Sequence, residues 1–99
     1  MNMQSIMAQA QKMQRDITKK KEQIDAMSFD GKSELVHITV NGKKEVLAVE
    51  IDKNTNLDKD DIEVLEDMIK IAMNDALSKV DLETEKQLGS YSGSLGGLL

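Results

Sequence analysis

The side chains best suited to chemistry are five basic residues in the first 27 positions: Lys12, Arg15, Lys19, Lys20 and Lys21. Lys12, Arg15 and Lys19 recur at i, i+3 and i+7, which puts them on one side of a helix. Positive groups so arranged can neutralise a phosphate backbone without reading any base. The same pattern also describes a solvated face, with Asp16 pairing to Lys12 and Lys20 at i±4. Charged helix faces usually mean no more than that.

Other constellations carry less. Asp52 to Glu63, DKNTNLDKDDIE, has oxygen side chains at positions 1, 3, 5, 7, 9 and 12 of a calcium-loop template. Leu57 stands where the sharp turn needs glycine, and Lys59 where an apolar residue is usual. The acidic start of a helix explains the same residues. His37 is the only histidine and alternates with apolar neighbours, which suits a solvated strand residue. With no cysteine in the chain, there is no thiolate metal site, no cysteine nucleophile and no disulfide framework. Carboxylate pairs such as Asp60/Asp61 and Glu66/Asp67 sit at the beginning of a helix, where its dipole accounts for them. Gly93, Gly96 and Gly97 follow no strand and open no helix, so they form no phosphate loop. The seven methionines read as seam and core filling. No enzyme, cofactor, metal or small-molecule substrate is expected.

The elements that position these residues follow from periodicity. Met3, Ile6, Ala10, Met13, Ile17, Ile24 and Met27 step by 3, 4, 3, 4, 7 and 3, a heptad seam interrupted by Lys20. This predicts one helix over residues 2–27. Val36, Ile38 and Val40, then Leu47, Val49 and Ile51, alternate with period two. Asn41-Gly42 lies between them and predicts a two-residue type I′ turn. Strands are expected at about 34–40 and 44–51, with a short earlier one around 27–31. Residues 52–58 read as a loop. A second helix is expected at about 59–87, with Asp58 as N-cap and Gly89 as C′ cap. Its stripe is Ile62, Leu65, Ile69, Ala72, Ala76 and Val80, broadened by Met68, Met73 and Leu77. The expected organisation is one α+β domain over 1–88 and a flexible Gly/Ser-rich tail over 89–99.

Charge and length complete the reading. The net charge is −5, but residues 1–27 carry +2 and the other 72 carry −7. An acidic total argues against an anionic partner, whereas the basic segment permits one. No apolar run approaches the roughly 20 residues of a membrane span, and no secretory leader is visible. A cytoplasmic protein with no membrane partner is expected. A 26-residue helix is about 39 Å long, too long for two or three short strands to cover, so a homodimer is the economical arrangement.

Three stretches then bear a resemblance: MQSIMAQAQKMQRDI, LVHITVNGKKEVLAVEID and DIEVLEDMIKIAMNDALSKVDLETEKQLG. Their order resembles the YbaB/EbfC family of bacterial nucleoid-associated proteins over about residues 3–89. The more specific pieces are the V-N-G turn through Asn41-Gly42, the V-x-I-D strand end at Val49–Asp52, and L-E-D-M-I…A-x-N-D-A from Leu65 to Ala76. The resemblance implies a tweezer-like homodimer in the nucleoid, with a sheet core and helical arms that hold double-stranded DNA with little sequence preference. Carried over by position, Lys12, Arg15, Lys19, Lys20 and Lys21 would contact DNA, with Lys43 and Lys44 beside the hairpin as secondary contacts. The alternative is a dimeric protein-interaction adaptor that uses the Met-rich seams and the acidic second helix without touching DNA.

Overall fold

Asn2 opens the first helix: its side-chain oxygen accepts the Ser5 amide at 2.8 Å, satisfying one of the otherwise orphaned donors. In the computed structural model, which describes residues 2–91, this helix, α1, runs Met3–Asp25 and is capped by Ala26. Three strands follow, β1 (Ser28–Lys32), β2 (Val36–Asn41) and β3 (Val46–Ile51), joined as an antiparallel sheet in the order β1-β2-β3. A 3₁₀ turn at Lys59–Asp61 leads into α2 (Ile62–Leu88), and a second turn covers Gly89–Tyr91. Asp58 and Asp61 cap the start reciprocally: the Asp58 carboxylate accepts the Asp60 amide at 2.9 Å, and the Asp61 carboxylate accepts the Asp58 amide at 3.1 Å.

The core lies between one face of the sheet and α2. Val36, Ile38 and Val40 are buried on β2, as is Phe29 on β1, against Ala72, Ala76 and Val80 of α2. The small residues on α2 let the backbones approach. A Cβ added at Gly31 would run into the Ala72 carbonyl oxygen and Ala76. The opposite sheet face is polar and holds Asp30, His37 and Thr39.

α2 lies over β1 and β2. Val46, Val49 and Ile51 pair with Val40, Ile38 and Val36 across the ladder, so they share the core face of the sheet. Yet they are 47, 52 and 36% exposed. β3 is thus an edge strand left bare on its apolar side, the kind of surface that commonly marks an interaction site.

The later part of α2 overruns the sheet and meets α1. Successive pairs mark its course: Asp75 accepts the Lys32 amide, Lys79 donates to the Asp30 carbonyl, Gln87 reaches the Met27 sulfur and Tyr91 meets Lys20. Ile17 and Ile24 are buried along this contact. Residues 3–12 of α1 extend past it and are exposed. The molecule is therefore a rod of 70 × 20 × 15 Å with a radius of gyration of 19.4 Å, against about 13 Å for a compact chain of this length.

Three local expectations are corrected. The hairpin does not use a two-residue type I′ turn. Lys44 donates to the Asn41 carbonyl and adopts φ 64°, giving a three-residue loop whose last residue is left-handed. The Asn41 side chain fixes it by accepting the Lys43 and Glu45 amides. Gly42 is needed for another reason, since a Cβ there would strike the Ile24 carbonyl oxygen at the end of α1. Gly89 keeps right-handed helical backbone (φ −59°) instead of a left-handed C′ cap. Finally, residues 89–91 of the expected tail form an ordered turn, and residues 92–99 lie outside the described residues.

Candidate nucleic-acid interface

The basic stripe occupies the face of α1 opposite its apolar seam. Lys12, Arg15 and Lys19 are exposed; Lys21 is exposed too, but lies about 160° round the helix from Lys19, beside the seam. The rise from Lys12 to Lys19 is about 10 Å. Among the described residues none of these four makes an ion pair; the three ion pairs are His37–Asp30, Lys44–Asp81 and Lys79–Asp75. The Asp16 pairs that would explain the stripe as a self-neutralised face are not formed. Gln14, Thr18 and Glu22 line a shallow groove of about 250 Å³ with Arg15 and Lys19. Exposed, unpaired cations held by a rigid helix can exchange their counterions for phosphate.

The remaining candidates divide. Lys20 turns into the seam: its ammonium lies 3.5 Å from both the Gln87 carbonyl oxygen and the Tyr91 hydroxyl, and 5.0 Å from the centre of the Tyr91 ring. That group sits at the negative end of α2 and over an aromatic face, two favourable places for a cation. It does not join the stripe. Lys44 is held by Asp81 at 2.9 Å. Lys43 is exposed beside Glu22 and Asp25 at the base of α1. The seven candidates thus do not form one site. Sequence reasoning missed Tyr91, which it assigned to the tail, and Asp81, for which spacing carried no signal.

The polar sheet face holds a separate cluster. The Asp30 carboxylate accepts the Thr39 hydroxyl at 2.9 Å and meets His37 Nε2 at 2.9 Å. These contacts, Thr39 first, hold the Asp30 carboxyl below its usual range. Among the described residues no group of three or more metal-ligating side chains converges, and the calcium-like loop at residues 52–63 forms no cage. No helix among them is long and apolar enough to cross a membrane.

Residues 1–95 match the model of the YbaB/EbfC DNA-binding family. The chain belongs to that family. It is 42% identical over 97 residues to the nucleoid-associated protein SpyM50270 of Streptococcus pyogenes, covering 96% of this chain and 97% of that one. The Streptococcus agalactiae nucleoid-associated protein gbs1791 is 43% identical over the same coverage. The crystal structure of an uncharacterised Helicobacter pylori protein, HP0035, superposes with a TM-score of 0.73 over 97% of this chain and 99% of that one, at 22% identity. That likeness speaks for the shared fold alone. The YbaB/EbfC family is one of DNA-binding proteins, not of enzymes, and the α1 stripe is the feature of this member whose chemistry fits the family's description.

Proposed function

We propose that this YbaB/EbfC protein is a nucleoid-associated homodimer that grips double-stranded DNA through phosphate contacts from α1, with little sequence preference. The observation that carries this reading is the unpaired stripe of Lys12, Arg15 and Lys19. The resemblance and the names of its streptococcal relatives support the same ligand and place. Nothing on α1 resembles a base-reading element: the exposed side chains around the stripe are long cations with Gln, Thr and Glu between them. Dimerisation is supported by the bare apolar side of β3, where Val46, Val49 and Ile51 call for a second copy. Two copies double the number of stripe cations that can meet one duplex.

A duplex titration at several salt concentrations tests the reading. With Lys20 and Lys44 engaged elsewhere, three or four phosphate contacts per chain give the dimer a slope of log affinity on log salt of roughly −5 to −7. Replacing Lys12, Arg15 and Lys19 with Gln is expected to weaken binding to unrelated duplexes equally and to flatten that slope. A triple variant that binds like the parent at every salt concentration leaves the stripe a solvated face.

A further inference from the structure

The hairpin loop places an amide side chain next to a peptide nitrogen with which it can react. Asn41 Oδ1 accepts the Lys43 amide at 2.9 Å and the Glu45 amide at 3.0 Å, and Nδ2 donates to the Glu45 carboxylate at 2.9 Å. The next residue, Gly42, has no side chain to hinder its nitrogen, and its amide has no hydrogen-bond partner among the described residues. Both residues are partly exposed, so water reaches them. We propose that this loop promotes deamidation of Asn41 and that the product loosens the base of α1. The proposal is independent of DNA.

The reaction needs water alone. Hydroxide takes the Gly42 amide proton, and the nitrogen adds to Asn41 Cγ, closing a five-membered ring. Negative charge gathers on Oδ1, where two main-chain N–H groups already point; donors about 2.7–3.1 Å from a developing oxyanion stabilise it. The Cγ–Nδ2 bond then breaks, and the nitrogen leaves as ammonia with a proton from water, which regenerates hydroxide. Water opens the ring at either carbonyl, giving aspartate or isoaspartate, with no electron gained or lost. The Glu45 carboxylate fixes which way the Asn41 amide faces, because only Nδ2 can donate to it.

The products alter a junction. Aspartate puts a second carboxylate where Nδ2 met Glu45 at 2.9 Å, and either product adds one negative charge to the −5. Isoaspartate routes the main chain through an extra methylene and removes the Asn41 carbonyl that accepts the Lys44 amide. It does so beside Gly42, whose Cβ position is already filled by the Ile24 carbonyl of α1. Lys44 also pairs with Asp81 of α2 at 2.9 Å, so the loop joins both helices to the sheet.

Peptide mapping by mass spectrometry of the full chain, incubated at mildly alkaline pH, follows the chemistry. Asn41 is expected to convert at least ten times as fast as Asn54 or Asn56, which precede Thr55 and Leu57. It is also expected to convert at least three times as fast as the same asparagine in a capped peptide of residues 40–45, which has the sequence without the held loop. A folded chain that converts no faster than the peptide overturns the proposal, as does earlier conversion of Asn54 or Asn56. The added charge lets anion exchange separate converted from unconverted chains. In the converted fraction, amide exchange over residues 22–27 is expected to be at least threefold faster. Unchanged exchange there overturns the effect on α1. Neither readout contains DNA, so their failure leaves the phosphate reading intact.

Discussion

β2 and β3 are adjacent six-residue strands, each with three Val/Ile residues on the core face of the sheet, and opposite surroundings. On β2, Val36, Ile38 and Val40 are 2% exposed or less. Their ladder partners on β3, Ile51, Val49 and Val46, share the same sheet face and are 36–52% exposed. The difference lies in α2, which passes over β1 and β2 and then leaves the sheet to meet α1. β2 is thus covered within the chain and β3 is left bare, though hydropathy alone does not separate them. Alternation reports that a face must be covered; it does not report what covers it.

The sharpest way to break this contrast is a pair of substitutions across the ladder. Ile38→Ala leaves a cavity in the core and is expected to cost about 2–5 kcal/mol, lowering the melting temperature by about 8 °C or more at about 4 °C per kcal/mol. Under the proposed dimer the parent is expected to sediment as a dimer at micromolar concentration, and Val49→Lys to sediment as a monomer while keeping the parent's far-ultraviolet dichroism. The parent's melting temperature should rise with protein concentration, and that of Val49→Lys should not. If Val49→Lys sediments like the parent, β3 is not the assembly strand.

A smaller effect is expected at Lys20, where α2 closes the seam of α1. Lys20→Leu gains apolar burial and loses the contacts to Gln87 and Tyr91, worth about 0.5–1 kcal/mol for the ring alone. A net gain of at most about 1 kcal/mol should appear in denaturant unfolding, with duplex affinity unchanged. A loss of affinity without a gain in stability would return Lys20 to the DNA-contacting set.

The smallest effect belongs to the polar face of β2. Because the Asp30 carboxyl is held below its usual value of 3.8, its contribution to stability is fully present above that pH and lost as pH falls through the lowered value. Thr39→Val removes the largest cause, so the Asp30 titration followed by carboxyl-carbon NMR should move up toward the usual value. Stability at neutral pH should change little, since Asp30 is exposed. An unmoved titration would assign the shift to His37.

Much of this fold was legible in residue order. The two long helices, the hairpin at Asn41-Gly42 and the Asp58 cap all lie where local patterns put them, because each is encoded within a few neighbouring residues. What local pattern missed depends on distant contacts. The turn at Gly42 answers to α1 as well as to the hairpin. Lys20 looked like a member of the basic cluster because its partner, Tyr91, is 71 residues away in the chain. The stripe of Lys12, Arg15 and Lys19 was legible from spacing. Its freedom from Asp16 was not, since i±4 spacing permits a pair without requiring one.

Gly42 also bears on mechanics. α1 is cantilevered: its base is pinned where Gly42 abuts Ile24, and residues 3–12 extend exposed beyond its contact with α2. A lever about 34 Å long turned by about 10° at its base carries its tip about 6 Å. In a two-armed assembly that displacement would count twice in the width of the gap. Under the proposed two-armed grip, a side chain at Gly42, which carries none of the stripe's cations, would thus act as a shim on the gap between the arms.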